Sequence, residues 1–222
     1  MLESFNLRII GEYLPLYWQG LWATAWLSFL SLVGALLVGA TACVLRLSSA
    51  RPVFMLSGAY IESIRSTPLL AQLYFFYFGL PTLGLRLTEV QTGILALSLN
   101  SGAYIAEILR AGILAISPGQ IEAAVSSGLN YFQRLRYIVL PQALAVVLPP
   151  LLGQAIVLVK DSALLSLISV LELTRAGQVL TSERFMPLEG FTTTAVFYLV
   201  LYYALKSLTT FSQRRLGRHQ VR

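Results

Sequence analysis

Apolar residues in this chain gather into five long stretches, separated by shorter polar connections. The stretches cover approximately residues 20–45, 53–80, 88–113, 140–170 and 191–211. Each is near or above the roughly 20 residues that an α-helix needs to cross a bilayer. The pattern therefore predicts an all-α integral membrane protein with about five transmembrane helices. It divides the chain into a short outer segment at 1–19, one transmembrane domain at 20–211 and a basic tail at 212–222.

Composition supports a membrane protein. Of the 222 residues, 56% are apolar and only 12% are charged, and the mean hydropathy is +0.71. That charged share is about half the average of roughly 25% in soluble proteins. Cys43 is the only cysteine and lies in an apolar stretch, so an intramolecular disulfide is excluded.

The positions of the 16 lysines and arginines indicate the orientation. If the N-terminus is outside, most of them fall in inner connections or in the C-terminal tail, as the positive-inside rule requires. The sequence therefore predicts an N-out, C-in topology, with a mixed-charge outer connection at 172–190. The net charge of +6 then reflects topology rather than nucleic-acid binding.

The most polar interruption, residues 117–141, predicts two helices joined by a glycine turn. Ser117 and Gln120 match a capping box at the start of the first helix. Gly128 suits the left-handed conformation that ends it. Asn130, with a glutamine three residues on, starts the second helix. We call residues 117–141 the elbow.

Ionisable side chains inside the second apolar stretch mark candidate functional groups. Each costs about 2.5–3.5 kcal/mol on insertion scales, so such groups face partners or a water-filled path. Glu62 and Arg65 are three residues apart, a spacing that predicts an ion pair. The alternative is that Arg65, followed by Ser66 and Thr67, presents donors to a substrate carboxylate. Pro68 is expected to loosen this helix near its middle.

The third stretch carries a polar stripe at spacings of three and four residues. Asn100, Tyr104 and Glu107 belong to it. For Glu107, an ion pair with Arg110 or Arg134 and a contact with substrate are equally favoured hypotheses.

The fourth stretch carries Gln154 and the adjacent pair Lys160 and Asp161. Neighbouring residues on a helix point about 100° apart, so Lys160 and Asp161 need separate partners.

Enzyme chemistry has little support. The chain has no GxxxxGK[ST] phosphate loop, so we expect that it does not hydrolyse ATP itself. It has no cysteine–histidine cluster for a metal. His219, the only histidine, lies in the basic tail, so no catalytic serine–histidine–acid set is expected. We predict no catalytic residue, no bound metal and no cofactor for this chain.

Several motifs together resemble one family. Glu122, Ala123 and Ala124, then Gly128, then the segment ending at Pro141, are similar to the EAA loop of ABC-importer permeases. Segments 60–70, 101–112 and 160–164 also resemble blocks of the permeases for histidine, glutamine, arginine and other polar amino acids. In that family the EAA loop forms coupling helices that sit in a cleft on an ATPase subunit.

The resemblance implies a permease subunit of an ATP-driven, binding-protein-dependent importer of polar amino acids in the bacterial cytoplasmic (inner) membrane. The implied partners are two ATPase subunits, a second permease that is identical or a sister, an extracytoplasmic amino-acid-binding protein and the lipid bilayer. ATP and magnesium would bind the ATPase. The implied residues of the substrate path are Glu62, Arg65, Ser66, Thr67, Pro68, Gln72, Asn100, Tyr104, Gln154 and Asp161. The implied coupling residues are Glu122, Ala123, Ala124, Gly128, Arg134 and Pro141.

The resemblance also bears on substrate charge. Relatives that carry basic amino acids have a glutamate just after a glycine equivalent to Gly153, where this chain has Gln154 and Ala155. An unpaired cation at the membrane midplane is costly. We therefore predict a neutral polar or acidic amino acid rather than lysine or arginine.

Two other classes remain as alternatives. A secondary transporter would use Arg65, Lys160 and Asp161 as ion or proton relays, and it predicts internal repeats, which the sequence lacks. A membrane scaffold without transport activity would not need buried charge in three stretches. Copurification with an ATPase separates the importer from both.

Overall fold

The computed structural model describes residues 5–217, with side chains for residues 5–210. All of its regular elements are helical. The α-helices are α1 (Leu7–Arg46), α2 (Arg51–Arg65), α3 (Leu69–Tyr74), α4 (Leu80–Thr82), α5 (Glu89–Leu114), α6 (Pro118–Ser126), α7 (Tyr131–Arg134), α8 (Leu140–Asp161), α9 (Leu173–Arg184) and α10 (Pro187–Gly217). Single π-helical turns at Phe75–Gly79 and Leu135–Val139 and a 3₁₀ helix at Ser162–Ile168 join some of them. His219 and the end of the predicted basic tail lie outside the described residues.

Four helical runs among the described residues are long and apolar enough to cross a membrane. They are Leu7–Arg46, Glu89–Leu114, Tyr131–Ile168 and Pro187–Thr210. The all-α membrane fold is confirmed. α1 begins well before the predicted apolar stretch, because Asn6 caps it by accepting from the amides of Arg8 and Ile9 at 3.1 and 3.3 Å.

The second apolar stretch, predicted as one span over 53–80, is divided in the structure. α2 ends at Arg65 and α3 begins at Leu69, with Pro68 in an extended conformation (φ −63°, ψ 138°) between them. Proline lacks an amide hydrogen, and its ring disfavours helical geometry in the residue before it. The break therefore lies where Pro68 was expected to loosen the helix.

The most extensive helix–helix contact in the bundle is the one between α1 and α5. Small residues on α1 allow the close approach: a Cβ atom on Gly39 would lie 2.6 Å from the side chain of Ile105, and Ser98 donates to the carbonyl of Ser31 at 3.2 Å. Residue numbers rise together along both helices, so α1 and α5 are parallel and both end on the side where the elbow begins. We call this side the elbow end of the bundle.

The elbow is built as a helix, a left-handed glycine and a second helix, as predicted. Gly128 has φ +77°. Its amide donates to Val125 O at 2.9 Å, and the amide of Leu129 donates to Ala124 O at 3.1 Å. These two bonds form a Schellman motif, which satisfies the last carbonyls of α6.

One of the two capping boxes in the elbow is correct and one is wrong. Asn130 and Gln133 exchange both bonds, at 2.9 and 3.0 Å. The Ser117 side chain makes no capping bond, so the box with Gln120 is wrong. Instead the carbonyl of Ser117 accepts from the Gln120 amide at 3.0 Å, which removes the donor that the hydroxyl would have satisfied.

The predicted mixed-charge connection at 172–190 contains a packed helix, α9, at the end of the bundle opposite the elbow. Its N-cap, Glu172, has no exposed surface. The Glu172 carboxylate accepts from the amides of Thr174 and Arg175 at 2.8 and 2.7 Å and from the Tyr198 hydroxyl at 2.8 Å. The Leu173 amide donates to Thr24 of α1 at 3.1 Å.

Burial dominates the electrostatics of that carboxylate. It raises the pKa of Glu172, although the bonds from Thr174, Tyr198 and Arg175 oppose the shift. α9 also meets α10 at two glycines: a Cβ on Gly190 would lie 2.8 Å from the carbonyl oxygen of Gly177. We call α9, with its contacts to α1 and α10, the Glu172 cap.

Candidate functional site

A polar pocket of about 430 Å³ opens between α1, α2 and α5, towards the elbow end. Its volume lies within the roughly 300–1,000 Å³ of small-molecule sites. Six charged or aromatic side chains line it: Arg46, Glu62, Arg65, Tyr104, Glu107 and Arg110. Three of these come from the predicted substrate path, and Ser66 of that path also lines the pocket.

The predicted ion pair between Glu62 and Arg65 is wrong. Glu62 has no ion pair within the described part of the chain. The guanidinium of Arg65 lies over the ring of Tyr104, 5.2 Å from its centroid. Arg65 is the last residue of α2, so its side chain leans across to α5 and leaves the carboxylate one turn earlier unpaired.

Glu107 and Arg110 have the same spacing and do form an ion pair. Arg110 Nε lies 3.0 Å from Glu107 Oε1, and Arg110 Nη2 lies 2.7 Å from Glu107 Oε2. Both residues lie within α5, so the regular helix holds the fork geometry. Of the two hypotheses for Glu107, the structure has the ion pair with Arg110.

Arg46 also lines the pocket, and its guanidinium is positioned by contacts with Phe54. Its Nη1 donates to the carbonyl of Phe54 at 3.1 Å, and its guanidinium lies 3.8 Å from the centroid of the Phe54 ring. Gly58 makes room for it, because a Cβ there would lie 2.7 Å from Arg46 Nη1. Arg46 was not among the predicted site residues, although its position just after the first apolar stretch was an available signal.

The break between α2 and α3 is held by a hydrogen-bond network. Gln72 Nε2 donates to the carbonyls of Ile64 and Thr67 at 2.8 and 3.1 Å and to Thr67 Oγ1 at 2.9 Å. Asn100 Nδ2 donates to Gln72 Oε1 at 3.0 Å. Both amide side chains are buried. The structure thus brings Thr67, Gln72 and Asn100 together at the break beside Pro68, with the Gln72 amide bonded to the backbone of the break and Asn100 bonded to Gln72.

The fourth predicted stretch contributes less to this cluster. Gln154 Nε2 donates to Ser101 Oγ at 3.3 Å, which ties α8 to α5 beside Asn100. Asp161 is half-buried and Lys160 is exposed at the end of α8, away from the elbow. As expected for neighbours in a helix, Lys160 and Asp161 do not pair with each other.

The predicted coupling residues lie on the elbow. Glu122, Ala123, Gly128 and Pro141 are exposed, and Ala124 is buried. Arg134 is half-buried at the end of α7. From Tyr131 the second helix of the elbow continues to Ile168 as one run. The elbow is therefore joined to the bundle by one continuous helical run.

The site combines one cation on an aromatic ring, one unpaired carboxylate and a set of amides. No group of three or more metal-ligating side chains occurs within the described ranges.

Comparison with known proteins identifies one family model. It is described as "Binding-protein-dependent transport system inner membrane component" and matches residues 35–218. That match covers most of the transmembrane domain and the whole elbow.

Two relatives align over nearly their entire length. The chain is 38% identical to the probable glutamine ABC transporter permease protein GlnM of Bacillus subtilis (strain 168), over 95% of this chain and 98% of the relative. It is 37% identical to the glutamine transport system permease protein GlnP of Escherichia coli (strain K12), over 96% and 98%. A chain in the crystal structure of an amino acid ABC transporter with histidines superposes with a TM-score of 0.91 at 37% identity, over 96% of this chain and 99% of that one.

Proposed function

The chain belongs to the family of inner membrane components of binding-protein-dependent transport systems, and from this premise we propose that it forms the path for a polar amino acid and couples that path to a separate ATPase. It is a permease subunit of an amino acid ABC importer. The observation that carries the coupling proposal is the continuous run from the elbow into the bundle.

The elbow has the surface of a docking element. Apart from the buried Ala124, α6 is exposed along its length, including Glu122 and the apolar side chains of Ile121 and Val125, which are 38% and 50% exposed. Phe132, just beyond the glycine turn, is 77% exposed. Apolar side chains that project from a polar connection fit a cleft on another protein. We assign that cleft to the ATPase, which binds ATP and magnesium.

The complete importer in this proposal contains two ATPase subunits, a second permease that is identical or a sister, and an extracytoplasmic binding protein that delivers the amino acid. The predicted N-out, C-in orientation places the elbow in the cytoplasm of a bacterium, where ATP is available. Closure of the ATPase cleft moves the elbow, and the run from Tyr131 to Ile168 carries the movement to Gln154 and Asp161 in the path.

The substrate path in this proposal passes the break between α2 and α3. Arg65, Ser66 and Tyr104 line the pocket, which lies on the elbow side of the break. Gln72 and Asn100 fix the geometry of the break through their hydrogen bonds. Broken helices of this kind supply donors and acceptors at membrane depth without exposing them to lipid.

Copurification tests the proposal. When the permease is expressed together with the other subunits of the importer, a nucleotide-binding subunit should copurify with it. Proteoliposomes with that complex and the binding protein should accumulate a polar amino acid only when ATP is supplied. Transport driven by an ion gradient without ATP would refute the importer.

The substrate is proposed to be neutral or acidic, as Gln154 and Ala155 imply. Glu62 forms no ion pair with Arg65, so the support for this proposal comes from the fourth stretch and from the glutamine permeases among the relatives. Uptake with the native binding protein, with glutamine, glutamate, cystine and arginine competing, decides it. Arginine as the strongest competitor would overturn the proposal.

A further inference from the structure

Five charged side chains line the pocket at the elbow end. It has three arginines and two glutamates. Two of these side chains, Glu107 and Arg110, neutralise each other in the two-pronged ion pair. Arg46 is held by the carbonyl and the ring of Phe54.

Glu62 and Arg65 carry opposite charges, and neither side chain makes a hydrogen bond within the described residues. They lie one turn apart on α2 and line the same cavity, yet they form no ion pair. Tyr104 keeps the guanidinium on the α5 side of the cavity through a cation–π contact at 5.2 Å. The cavity thus presents an anion and a cation that are held apart.

A zwitterion is the ligand that satisfies both charges. An α-amino acid carries its carboxylate and its ammonium group on one carbon atom, so it can bridge a guanidinium and a carboxylate that are separated by more than a salt-bridge distance. Each resulting contact is a charge-assisted hydrogen bond, roughly twice as strong as a neutral one. A simple anion or cation would leave one wall charge without a partner.

We propose that this pocket is a head-group subsite for α-amino acids, in which Arg65 binds the carboxylate and Glu62 binds the ammonium group. It lies on the elbow side of the break, so it is a station that the amino acid occupies after passing the break and before release. Both contacts are with groups that all α-amino acids share, so this subsite recognises the head group common to amino acids. The inference rests on the proposed function, since it deepens the path of the same importer.

The test measures equilibrium binding of radiolabelled glutamine to the purified permease–ATPase complex, without nucleotide and without the binding protein. The binding protein is omitted because its own selectivity would mask that of the permease. Unlabelled competitors are glutamine, its α-carboxamide, which lacks the carboxylate, and N-acetylglutamine, which lacks the ammonium group. We expect both analogues to compete at least tenfold more weakly than glutamine with the wild-type complex.

The variants should separate the two contacts. Arg65→Gln should lower the affinity for glutamine at least tenfold and leave the affinity for the α-carboxamide unchanged. Glu62→Gln should lower the affinity for glutamine at least tenfold and leave the affinity for N-acetylglutamine unchanged. Arg65→Lys, which keeps the charge, should restore part of the affinity. Arg51→Gln is the matched control, because Arg51 is an exposed arginine on α2 outside the pocket.

The outcomes also separate this inference from the proposed function. If the wild-type complex imports a polar amino acid with ATP but binds no glutamine here, or if both variants bind it as the wild type does, the subsite is refuted and the importer stands. An equal loss of affinity for glutamine and for both analogues in each variant would also refute the head-group assignment. A complex that assembles but imports no polar amino acid would refute the proposed function itself.

Discussion

The two ends of the bundle hold their polar residues in opposite ways. In the elbow, hydrogen bonds join residues that are close in sequence, such as Asn130 with Gln133 and Leu129 with Ala124. In the Glu172 cap they join residues that are far apart, such as Leu173 with Thr24 and Tyr17 with Gly190, at 3.1 and 2.7 Å. The elbow carries its own geometry, whereas the cap depends on α1 and α10.

The difference indicates which end can move. A unit held by local bonds keeps its shape when it shifts as a body, which suits a lever between an ATPase and a path. The cap would lose hydrogen bonds and buried apolar contacts around Tyr17, Leu173 and Leu180 if α9 moved alone. We infer that the cap is the fixed end and the elbow the moving end of the subunit.

The largest effect is expected from filling the glycine contact in the cap. In Gly190→Ala the new methyl group would lie 2.8 Å from the carbonyl oxygen of Gly177, a backbone atom that cannot rotate away. Overpacking of this kind costs roughly 1–3 kcal/mol. We expect a lower yield of folded permease and a lower midpoint of thermal unfolding in detergent.

The matched control lies in the elbow. A Cβ on Gly119 would meet only the Ser117 hydroxyl, at 3.7 Å. Gly119→Ala should therefore unfold at the wild-type temperature or slightly above, since alanine favours the helix. Equal destabilisation by both substitutions would remove the contrast between the two ends.

The next effect concerns coupling rather than folding. Gly128→Val places a branched side chain at φ +77°, which costs roughly 1–2 kcal/mol and misaims the two helices of the elbow. The permease should insert and bind its partners while transport and substrate-stimulated ATP hydrolysis fall together. Gly128→Asn should retain most activity, because asparagine tolerates the left-handed region. Normal transport by the valine variant would refute the role of this turn.

Most local features of the backbone were predictable from the sequence, with the Ser117 capping box as the exception, and long-range features were not. The break at Pro68, the turn at Gly128 and the Asn130 cap each follow from the chemistry of neighbouring residues. The residues next to Glu172 did not predict its burial, because helices that lie far away in the sequence bury it.

The charged residues of the pocket show the same limit. Glu62–Arg65 and Glu107–Arg110 have identical spacing, yet only the second pair forms. The spacing shows which ion pairs are possible. Whether a pair forms depends on a further side chain that competes for one of its members. For Arg65 that side chain is Tyr104, from another helix.

A smaller effect should appear in the pH dependence of the cap. Burial raises the pKa of Glu172 above its ordinary value of 4.5, so the folded protein binds this proton more tightly than the unfolded chain. The resulting stabilisation is complete below the ordinary pKa and is lost as the pH rises through the raised value. Glu172→Gln should lower the unfolding midpoint through its weaker cap but flatten this part of its pH profile. Parallel profiles for the two proteins would contradict the assignment.

The smallest effect is expected at the exposed surface of the elbow. Glu122 is exposed on α6 and makes no hydrogen bond or ion pair through its side chain within the described residues, so Glu122→Ala should not change folding or insertion. An exposed carboxylate on a docking helix meets a basic or hydrogen-bonding group of its partner. Its removal should weaken ATPase binding severalfold to roughly tenfold, within the range of about 0.5–1.5 kcal/mol for one ordinary hydrogen bond.

The opposite end of the bundle provides the control for charge. Glu183 is also exposed, and its carboxylate accepts from the Tyr13 hydroxyl near the Glu172 cap. Glu183→Ala removes the same formal charge from the end that should not touch the ATPase. Titration of detergent-purified permease with the ATPase should therefore give a higher Kd for Glu122→Ala and an unchanged Kd for Glu183→Ala. Equal shifts would mean that the ATPase responds to net charge, and equal absence of shifts would exclude Glu122 from the docking contact.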